Sequence, residues 1–268
     1  MNYRHAFHAG NFADVVKHIA VVAILLHLRR KQAGFAVIDT HAGRGAYDLA
    51  AAEARRTQES DDGIRRLQAL TPGAMTPLSK YLELARGEVY PGSPLLAAKL
   101  LRSQDRLVAI EKHPEEASAL AAVLRPFSRA RAETGDGYAR LAGLLPPPER
   151  RGLVLIDPPY EAADEFAQLA RAFAAGFRRF AHGIFLIWFP IKSPAEADAF
   201  CGELVAAGPP KALRLDVSRS ETDGERLSAA GLLVINPPWH FADQMRDALR
   251  DVLPLLDAEA RFEVCAGD

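Results

Sequence analysis

A run of four apolar residues that ends in two prolines constrains the fold of this chain more than any other feature. Leu153–Ile156 has the length and composition of a buried strand, and Asp157-Pro158-Pro159-Tyr160 follows it. Pro158 and Pro159 donate no backbone hydrogen bond, so the sheet must end there. The result is a rigid turn at a strand tip that presents a carboxylate, free carbonyls and an aromatic ring.

Such a turn suits a planar base that carries an exocyclic amine. The Asp157 carboxylate and a carbonyl near Pro158 would accept the two N–H bonds, and the ring of Tyr160 would stack on the base. A proline-rich loop with an ordinary surface aspartate is the alternative. The tetrapeptide alone leaves both interpretations open.

The composition is that of an ordinary globular protein. The chain has 268 residues and a net charge of −1, so any nucleic-acid surface must be a local patch. Cys201 and Cys265 are the only cysteines, which fits a reducing cytoplasm and excludes a disulfide scaffold. The longest apolar run, Ile19–Leu26, is too short to span a bilayer. We expect a single cytoplasmic domain over residues 1–268, without a membrane anchor or a metal.

The first 35 residues are locally basic, with five Lys or Arg against one acid. Apolar residues recur at helical spacing after Asn11, which predicts a helix with one buried face. Lys17 and His18 fall beside that face, near the start of the helix. A solvated helix face is the alternative for the basic charge, and metal binding is the alternative for the four histidines of this segment.

A second strand tip carries a glycine loop. Phe35–Asp39 is typical of a short buried strand, and Thr40-His41-Ala42-Gly43-Arg44-Gly45 follows. The glycines let backbone N–H groups approach a ligand closely. Asp48 replaces the third glycine of the dinucleotide fingerprint, which disfavours a nicotinamide cofactor. Asp39-x-x-x-Gly43-x-Gly45 has instead the spacing of the S-adenosylmethionine loop of class I methyltransferases, with a plain strand–turn–helix junction as the alternative.

Two further strands end at acidic residues. Leu107–Glu111 places Glu111 where doubly wound folds bind a nucleoside ribose, although Glu111 follows the glycine loop at an unusually long distance. Residues 50–92 account for that distance, because they balance acidic and basic residues at helical spacing and predict a small helical insertion. Asp136 follows the strand Ala130–Thr134, where a carboxylate can bind an adenine amino group.

Asn236-Pro237-Pro238-Trp239 has the same shape as the first proline turn, so the two must be distinguished. Gly231–Ile235 follows the strand at 212–217 through a hairpin-like link, which predicts an antiparallel strand whose tip points away from the glycine loop. We therefore assign chemistry to Asp157–Tyr160 and a structural role to Asn236–Trp239. The prediction is an α/β fold with a seven-stranded, mostly parallel sheet and one antiparallel strand.

Four segments together resemble one known family. They are Tyr-Arg-His-x-Phe-His-Ala-Gly-Asn-x-Ala-Asp-Val-x-Lys-His (3–18), Asp-Thr-His-Ala-Gly (39–43), Tyr-Pro-Gly-Ser-Pro (90–94) and Asp-Pro-Pro-Tyr. The chain resembles the bacterial large-subunit rRNA adenine-N6 methyltransferase family RlmJ over nearly its whole length. The resemblance implies a class I, Rossmann-like methyltransferase fold, S-adenosylmethionine as cofactor, and N6 methylation of one adenosine in 23S rRNA.

The resemblance also implies roles for individual residues. Asp157 is the implied catalytic acceptor, beside Pro158 and Tyr160, and it also faces the cofactor. Tyr3 is the implied substrate contact, and we expect His5 and Lys17 to hold flanking RNA. The cofactor contacts that we predict, including the glycine loop, are His18, His41, Gly43, Ser93, Glu111, Asp136, Gly137 and Asp157.

Other functions remain open at this stage. A DNA adenine-N6 or rRNA guanine-N2 methyltransferase would also use Asp157-Pro158-Pro159-Tyr160. A non-catalytic RNA-binding module would keep the basic N-terminal segment but would have no use for Asp157 beside a glycine loop. We expect the protein to act as a monomer.

Overall fold

The structure is a computed structural model that describes residues 8–51, 56–71, 73, 75–219 and 227–266. The helices in chain order are α1 Phe12–Arg29, α2 Ile64–Leu67, α3 Pro77–Leu84, α4 Ser93–Leu100, α5 Pro114–Leu124, α6 Gly137–Leu144, α7 Glu165–Arg179, α8 Pro194–Ala206 and α9 Phe241–Val252, followed by a 3-10 turn, Leu253–Leu256. The strands are β1 Ala36–Asp39, β2 Ala46–Asp48, β3 Val89–Pro91, β4 Arg106–Glu111, β5 Ala130–Thr134, β6 Gly152–Ile156, β7 Ile184–Pro190, β8 Ala212–Arg219, β9 Ala229–Ile235 and β10 Ala258–Ala266.

Eight strands form one sheet in the order β10-β8-β9-β7-β6-β1-β4-β5. Strands β5, β4, β1, β6 and β7 run parallel to their neighbours. Strand β9 is antiparallel to both β7 and β8, and β10 is antiparallel to β8. The carboxyl ends of the five parallel strands therefore meet at one edge of the sheet, where open α/β folds bind ligands.

The predicted α/β class is confirmed, and so is the antiparallel direction of the strand that precedes Asn236. Strand β6 lies beside β1 and parallel to it, which brings the tip of β6 next to the glycine loop. The predicted count of seven strands with one antiparallel strand is wrong, since β10 is an eighth strand and both β9 and β10 oppose the parallel set. Strand β10 mixes charged and apolar residues and is half exposed at the sheet edge, so it lacks the apolar run of a buried strand.

Strands β2 and β3 pair with each other in a separate two-stranded sheet. This pair closes a loop that contains α2 and α3, within the predicted insertion 50–92. The loop is attached to the rest of the molecule, because the Ile64 amide donates to the Gly10 carbonyl at 2.8 Å and Tyr81 of α3 lies in the core that contains α1. The boundaries of the insertion stay a prediction.

The core has one layer on each face of the sheet. One layer contains α1, α3, α4 and α9, and the other contains α6, α7 and α8. Side chains alternate along each central strand, so that Leu153 and Leu155 of β6 face the first layer and Val154 and Ile156 face the second. Alternate residues of a central strand thus face opposite core layers.

Helix α1 begins beside the site and has 15 of its 18 residues buried. Asn11 caps it by accepting a hydrogen bond from the Asp14 amide at 2.9 Å. Arg102 and Arg151 donate to carbonyls at its C-terminal end, at 3.2 and 3.0 Å. Its N-terminal end lies near the carboxyl ends of the strands, where Lys17 donates to Asp157.

The burial of α1 predicts how the fold responds to truncation. Ile24→Ala removes a fully buried side chain and should lower the free energy of unfolding by about 2–5 kcal/mol, because a cavity is left behind. Arg30→Ala, at the exposed end of the same helix, should change it by less than about 0.5 kcal/mol. Urea unfolding of both variants measures the difference, and equal losses would contradict a central position for α1.

Candidate active site

A cavity of about 350 Å³ opens at the carboxyl ends of the parallel strands. That volume is in the range of sites for small molecules and cofactors. The loops after β1, β4, β5 and β6 contribute to it, together with the starts of α1 and α4. Its lining includes Lys17, His18, His41, Gly43, Ser93, Glu111, Asp136, Gly137, Tyr138, Asp157 and Pro158.

Glu111 fixes the position of the glycine loop at the cavity through a hydrogen bond to the loop backbone. Gly43 has a φ of +58°, and a Cβ there would collide with the Tyr47 hydroxyl, so this position strongly favours glycine. The Gly43 amide donates to Oε2 of Glu111 at 2.9 Å, and the His113 amide donates to Oε1 at 2.8 Å. These bonds fix the carboxylate at the tip of β4, next to the loop at the tip of β1.

The tip of β5 approaches the same loop from the other side. A Cβ on Gly137 would collide with the Thr40 carbonyl, so glycine is required for the close approach of α6. Asp136 caps α6 by accepting from the Ala139 amide at 3.1 Å, and Lys112 donates to it at 3.1 Å. Burial alone would raise the pKa of Asp136, but these hydrogen bonds lower it below its ordinary value.

Asp39 lies buried beneath the cavity and holds the start of α4. Ser93 Oγ donates to its Oδ2 at 2.6 Å, whereas Oδ1 is buried and accepts no hydrogen bond from the described residues. Burial raises the pKa of Asp39 to about 7, and the charge of Asp157 adds to the shift. The carboxyl group thus changes its protonation near neutral pH.

His41 is a neutral hydrogen-bond acceptor at the cavity wall. Thr40 Oγ1 donates to the Leu155 carbonyl at 2.9 Å, so His41 Nδ1 must donate to Oγ1, at 2.8 Å. The proton then lies on Nδ1, and Nε2 is left as an acceptor. Burial lowers the pKa of His41 to about 4, which keeps this ring neutral at pH 7.

A buried lysine joins α1 to the tip of β6. Lys17 Nζ donates to Asp14 and to Asp157, both at 2.6 Å, and the Lys17 side chain is only 4% exposed. Burial alone would lower the pKa of Lys17, but the two carboxylates raise it well above its ordinary value. Lys17 therefore stays charged and orients the Asp157 carboxylate, whose side chain is 16% exposed.

A second buried chain of polar groups leads from the cavity to the loop between β2 and β3. His18 Nδ1 lies 2.7 Å from the Tyr90 hydroxyl, which lies 3.0 Å from the Tyr81 hydroxyl. All three residues are at most 1% exposed. The contacts hold the His18 ring in one orientation at the cavity wall.

Tyr160 is fixed at the end of β7. Its hydroxyl donates to the Trp188 carbonyl at 2.6 Å, and its ring packs against Phe166 with a centroid distance of 5.0 Å. A φ of +51° turns its backbone out of the strand direction after Pro159. The aromatic ring expected at this strand tip is present, on a rigid support.

The competing motif lies elsewhere, as predicted from the strand directions. Asn236 follows the antiparallel β9 and donates to the carbonyls of Ala181 and Gly183, both at 2.8 Å. Trp239 is 71% exposed and does not line the cavity. The predicted position of Asn236–Trp239 away from the Gly43 loop is confirmed, and the structural role that we assigned to it stays a prediction.

The structure brings most of the predicted site residues to one cavity. Tyr160 is not among the residues that line it, and Tyr3 and His5 lie outside the described residues. Sequence reasoning missed Asp14, although its spacing of three residues from Lys17 on a helix is typical of an ion pair. It also missed Tyr138, whose hydroxyl donates to a buried glutamate of α7 at 2.8 Å and whose partner no local pattern reveals.

Within the described ranges, no three His, Cys, Asp or Glu side chains are grouped so that they would hold a metal ion. None of the helices placed in the structure is long and apolar enough to cross a membrane.

Asp39→Asn tests the unusual protonation of the buried carboxyl. As the pH rises from about 4 to 7, the unfolded chain loses the Asp39 proton while the folded protein keeps it, so the contribution of Asp39 to wild-type stability falls across this window and then levels off. The variant lacks that loss. Urea unfolding of the cofactor-free proteins should show its stability rising relative to the wild type up to pH about 7. A difference that is constant with pH would contradict a raised pKa.

Comparison with known proteins places this chain in a family. Residues 32–260 match the family model of ribosomal RNA large subunit methyltransferase D, RlmJ. The chain is 39% identical over 256 residues to ribosomal RNA large subunit methyltransferase J of Escherichia coli, covering 93% of this chain and 91% of that protein. The Haemophilus influenzae protein of the same name is 38% identical over 258 residues, covering 93% and 92%.

Solved structures agree with these matches. The crystal structure of protein LPL1258 from Legionella pneumophila has a TM-score of 0.89 at 30% identity, covering 96% of this chain and 98% of that one. A probable spermidine synthase from Corynebacterium glutamicum, at 12% identity and a TM-score of 0.53, covers 97% of this chain and 77% of that one, and shares the fold alone. The resemblance inferred from the sequence motifs is confirmed: the chain belongs to the RlmJ family of ribosomal RNA large subunit methyltransferases.

Proposed function

We propose that this protein transfers a methyl group from S-adenosylmethionine to N6 of one adenosine in 23S rRNA. The observation that carries the proposal is the Asp157 carboxylate, which Lys17 holds at 2.6 Å at the rim of a cavity built around the Gly43 loop. The printed names of the Escherichia coli and Haemophilus influenzae relatives describe methyltransferases of large-subunit ribosomal RNA. Family membership and site chemistry thus point to the same reaction class.

The residues of the cavity fit S-adenosylmethionine. Glu111 presents a carboxylate at the strand tip where nucleoside hydroxyls bind, beside the Gly43 loop that lines the cavity. Asp136 offers an acceptor for an amino group, and His41 offers a second one through Nε2. The cofactor, when bound, supplies an electrophilic methyl group.

Asp157 suits the chemistry of an aromatic amine. The N6 lone pair of adenine is delocalised into the ring, so the amine is a weak nucleophile. Asp157 accepts one N–H bond and the backbone carbonyl near Pro158 accepts the other, which directs the nitrogen lone pair towards the methyl donor. The N–H becomes more acidic as the nitrogen is alkylated, and Asp157 is placed to accept that proton.

Lys17 has a positioning role in this arrangement. Its ammonium is bonded to Asp14 and Asp157 and is nearly inaccessible to solvent, so it fits orientation of Asp157 better than the capture of an RNA phosphate. The contact with flanking RNA that we predicted for Lys17, Tyr3 and His5 stays a prediction. The target base must leave its stack to reach Asp157.

Our proposal extends to the oligomeric state, the cellular location and the RNA-binding surface of the protein. We propose that the protein acts as a monomer in the bacterial cytoplasm, where large-subunit rRNA is located. Because the net charge of the chain is −1, its RNA-binding surface must be a local patch and not a uniformly basic surface.

Asp157→Asn separates chemistry from binding. The substitution keeps the shape of the side chain but removes the carboxylate that accepts the amine proton, so single-turnover methyl transfer to transcribed 23S rRNA should fall by about 10²–10⁴-fold. The cofactor dissociation constant, measured by calorimetry, should change far less than the rate, because the amide keeps the shape of the one contact that Asp157 offers the cofactor. Asp164→Asn, an exposed carboxylate on the same loop, is the control and should keep the wild-type rate. Full turnover in Asp157→Asn would exclude the proposed role.

Glu111→Gln tests the cofactor site independently. The amide places an N–H₂ group where Glu111 accepts hydrogen bonds from Gly43 and His113, so the loop loses a charge-assisted bond. We expect the S-adenosylmethionine dissociation constant to rise about 10- to 100-fold. Glu88→Gln, whose side chain is 60% exposed outside the cavity, should bind normally. Equal affinities for both variants would remove Glu111 from the cofactor site.

A further inference from the structure

Trp188 lies beside the Asp157 carboxylate on the neighbouring strand. Strands β6 and β7 are parallel, with Leu155 opposite Leu186 and Ile156 opposite Ile187. One residue further along both strands, Asp157 and Trp188 are therefore neighbours.

The two side chains also face the same side of the sheet. Side chains alternate along a strand, and Leu186 and Trp188 pack with the core layer that contains α1. Asp157 reaches the same layer, because its carboxylate accepts from Lys17 of α1 at 2.6 Å. The indole is thus on the side of the sheet from which Asp157 is approached.

Trp188 is the one residue of β7 that is not fully buried. Its indole centroid lies 5.7 Å from that of Tyr160, with an angle of 56° between the planes. The Tyr160 hydroxyl donates to the Trp188 carbonyl at 2.6 Å. This bond holds the two aromatic rings in a fixed arrangement next to the Asp157 carboxylate. A large aromatic ring that stays partly accessible at this position offers a flat surface to a ligand.

We infer that Trp188 stacks on the adenine whose amino group binds Asp157, and so forms a wall of a base-binding site that adjoins the cavity at Asp157; Trp188 is not among the residues that line the cavity itself. This inference rests on the proposed function and adds a substrate-binding residue to it. The two fused rings of an indole match the width of a purine, and stacking on an aromatic side chain holds a base that has left its helix. Tyr160 supports the indole from the side and fixes its backbone.

Trp188→Leu removes the stacking surface and keeps an apolar side chain. We expect kcat/KM for transcribed 23S rRNA to fall about 10- to 100-fold, which corresponds to the stacking of one base. Trp188→Phe keeps one ring and should lose less. Trp239→Leu, at the opposite end of the sheet, is the matched control and should leave kcat/KM unchanged.

Cofactor binding distinguishes a substrate contact from a structural one. If Trp188 binds the base, the S-adenosylmethionine dissociation constant of Trp188→Leu stays within about twofold of the wild type, well below one tenfold step in affinity. A parallel loss of cofactor affinity, or an unchanged kcat/KM for RNA, would overturn the inference. If the wild-type protein methylates no adenosine at all, the proposed function fails first, and that outcome is visible before any variant is made.

Fluorescence tests the contact with Trp188 intact. The chain has two tryptophans, so Trp239→Phe leaves Trp188 as the one indole reporter. A fragment of 23S rRNA that carries the target adenosine should quench or shift the Trp188 emission in this variant, whereas the same fragment with an abasic target nucleotide should not. The same change with both fragments, or no change with either bound fragment, would overturn the inference.

Discussion

The site depends on one buried ammonium group between two carboxylates. Lys17 joins Asp14 of its own helix to Asp157 at the tip of β6, with both bonds at 2.6 Å. Removing one partner of such a buried pair typically costs about 3–5 kcal/mol, because the remaining charges lose compensation. The arrangement holds only if α1 is rigid, and the burial of 15 of its 18 residues provides that rigidity. The helix thus contributes both a large part of the core and the orientation of the proposed catalytic acceptor.

Strand direction explains why one proline turn lies at the site and the other does not. Asp157 follows a strand that is parallel to β1, so it reaches the edge where the Gly43 loop, Glu111 and Asp136 also converge. Asn236 follows β9, which is antiparallel to β7. Its side-chain amide donates to the carbonyls of Ala181 and Gly183, at the edge of the sheet opposite the cavity. Two turns of nearly the same sequence therefore have different roles because of the sheet that carries them.

Much of this fold and site is predictable from the sequence. Buried strands such as Leu153–Ile156 form continuous apolar runs, and the acidic or glycine residues that follow them converge wherever the strands are parallel. Strand β10 was not predictable in this way, since it is an edge strand of mixed charge that is specified by pairing with β8. The role of Lys17 was not predictable from the sequence either, because a basic residue near a helix start is usually solvated. The burial of Lys17 depends on Asp157, which is 140 residues away along the chain. Tyr81 and Tyr138 likewise gain their partners only through tertiary contacts.

The identity of the methylated nucleoside tests the central claim most directly. Asp157 and its neighbouring carbonyl suit an exocyclic amine, a group that adenine and guanine both carry. Transcribed 23S rRNA should be incubated with the protein and S-adenosylmethionine, digested to nucleosides and analysed by mass spectrometry. We expect N6-methyladenosine from a single position. N2-methylguanosine, or methylation of DNA in preference to rRNA, would contradict it.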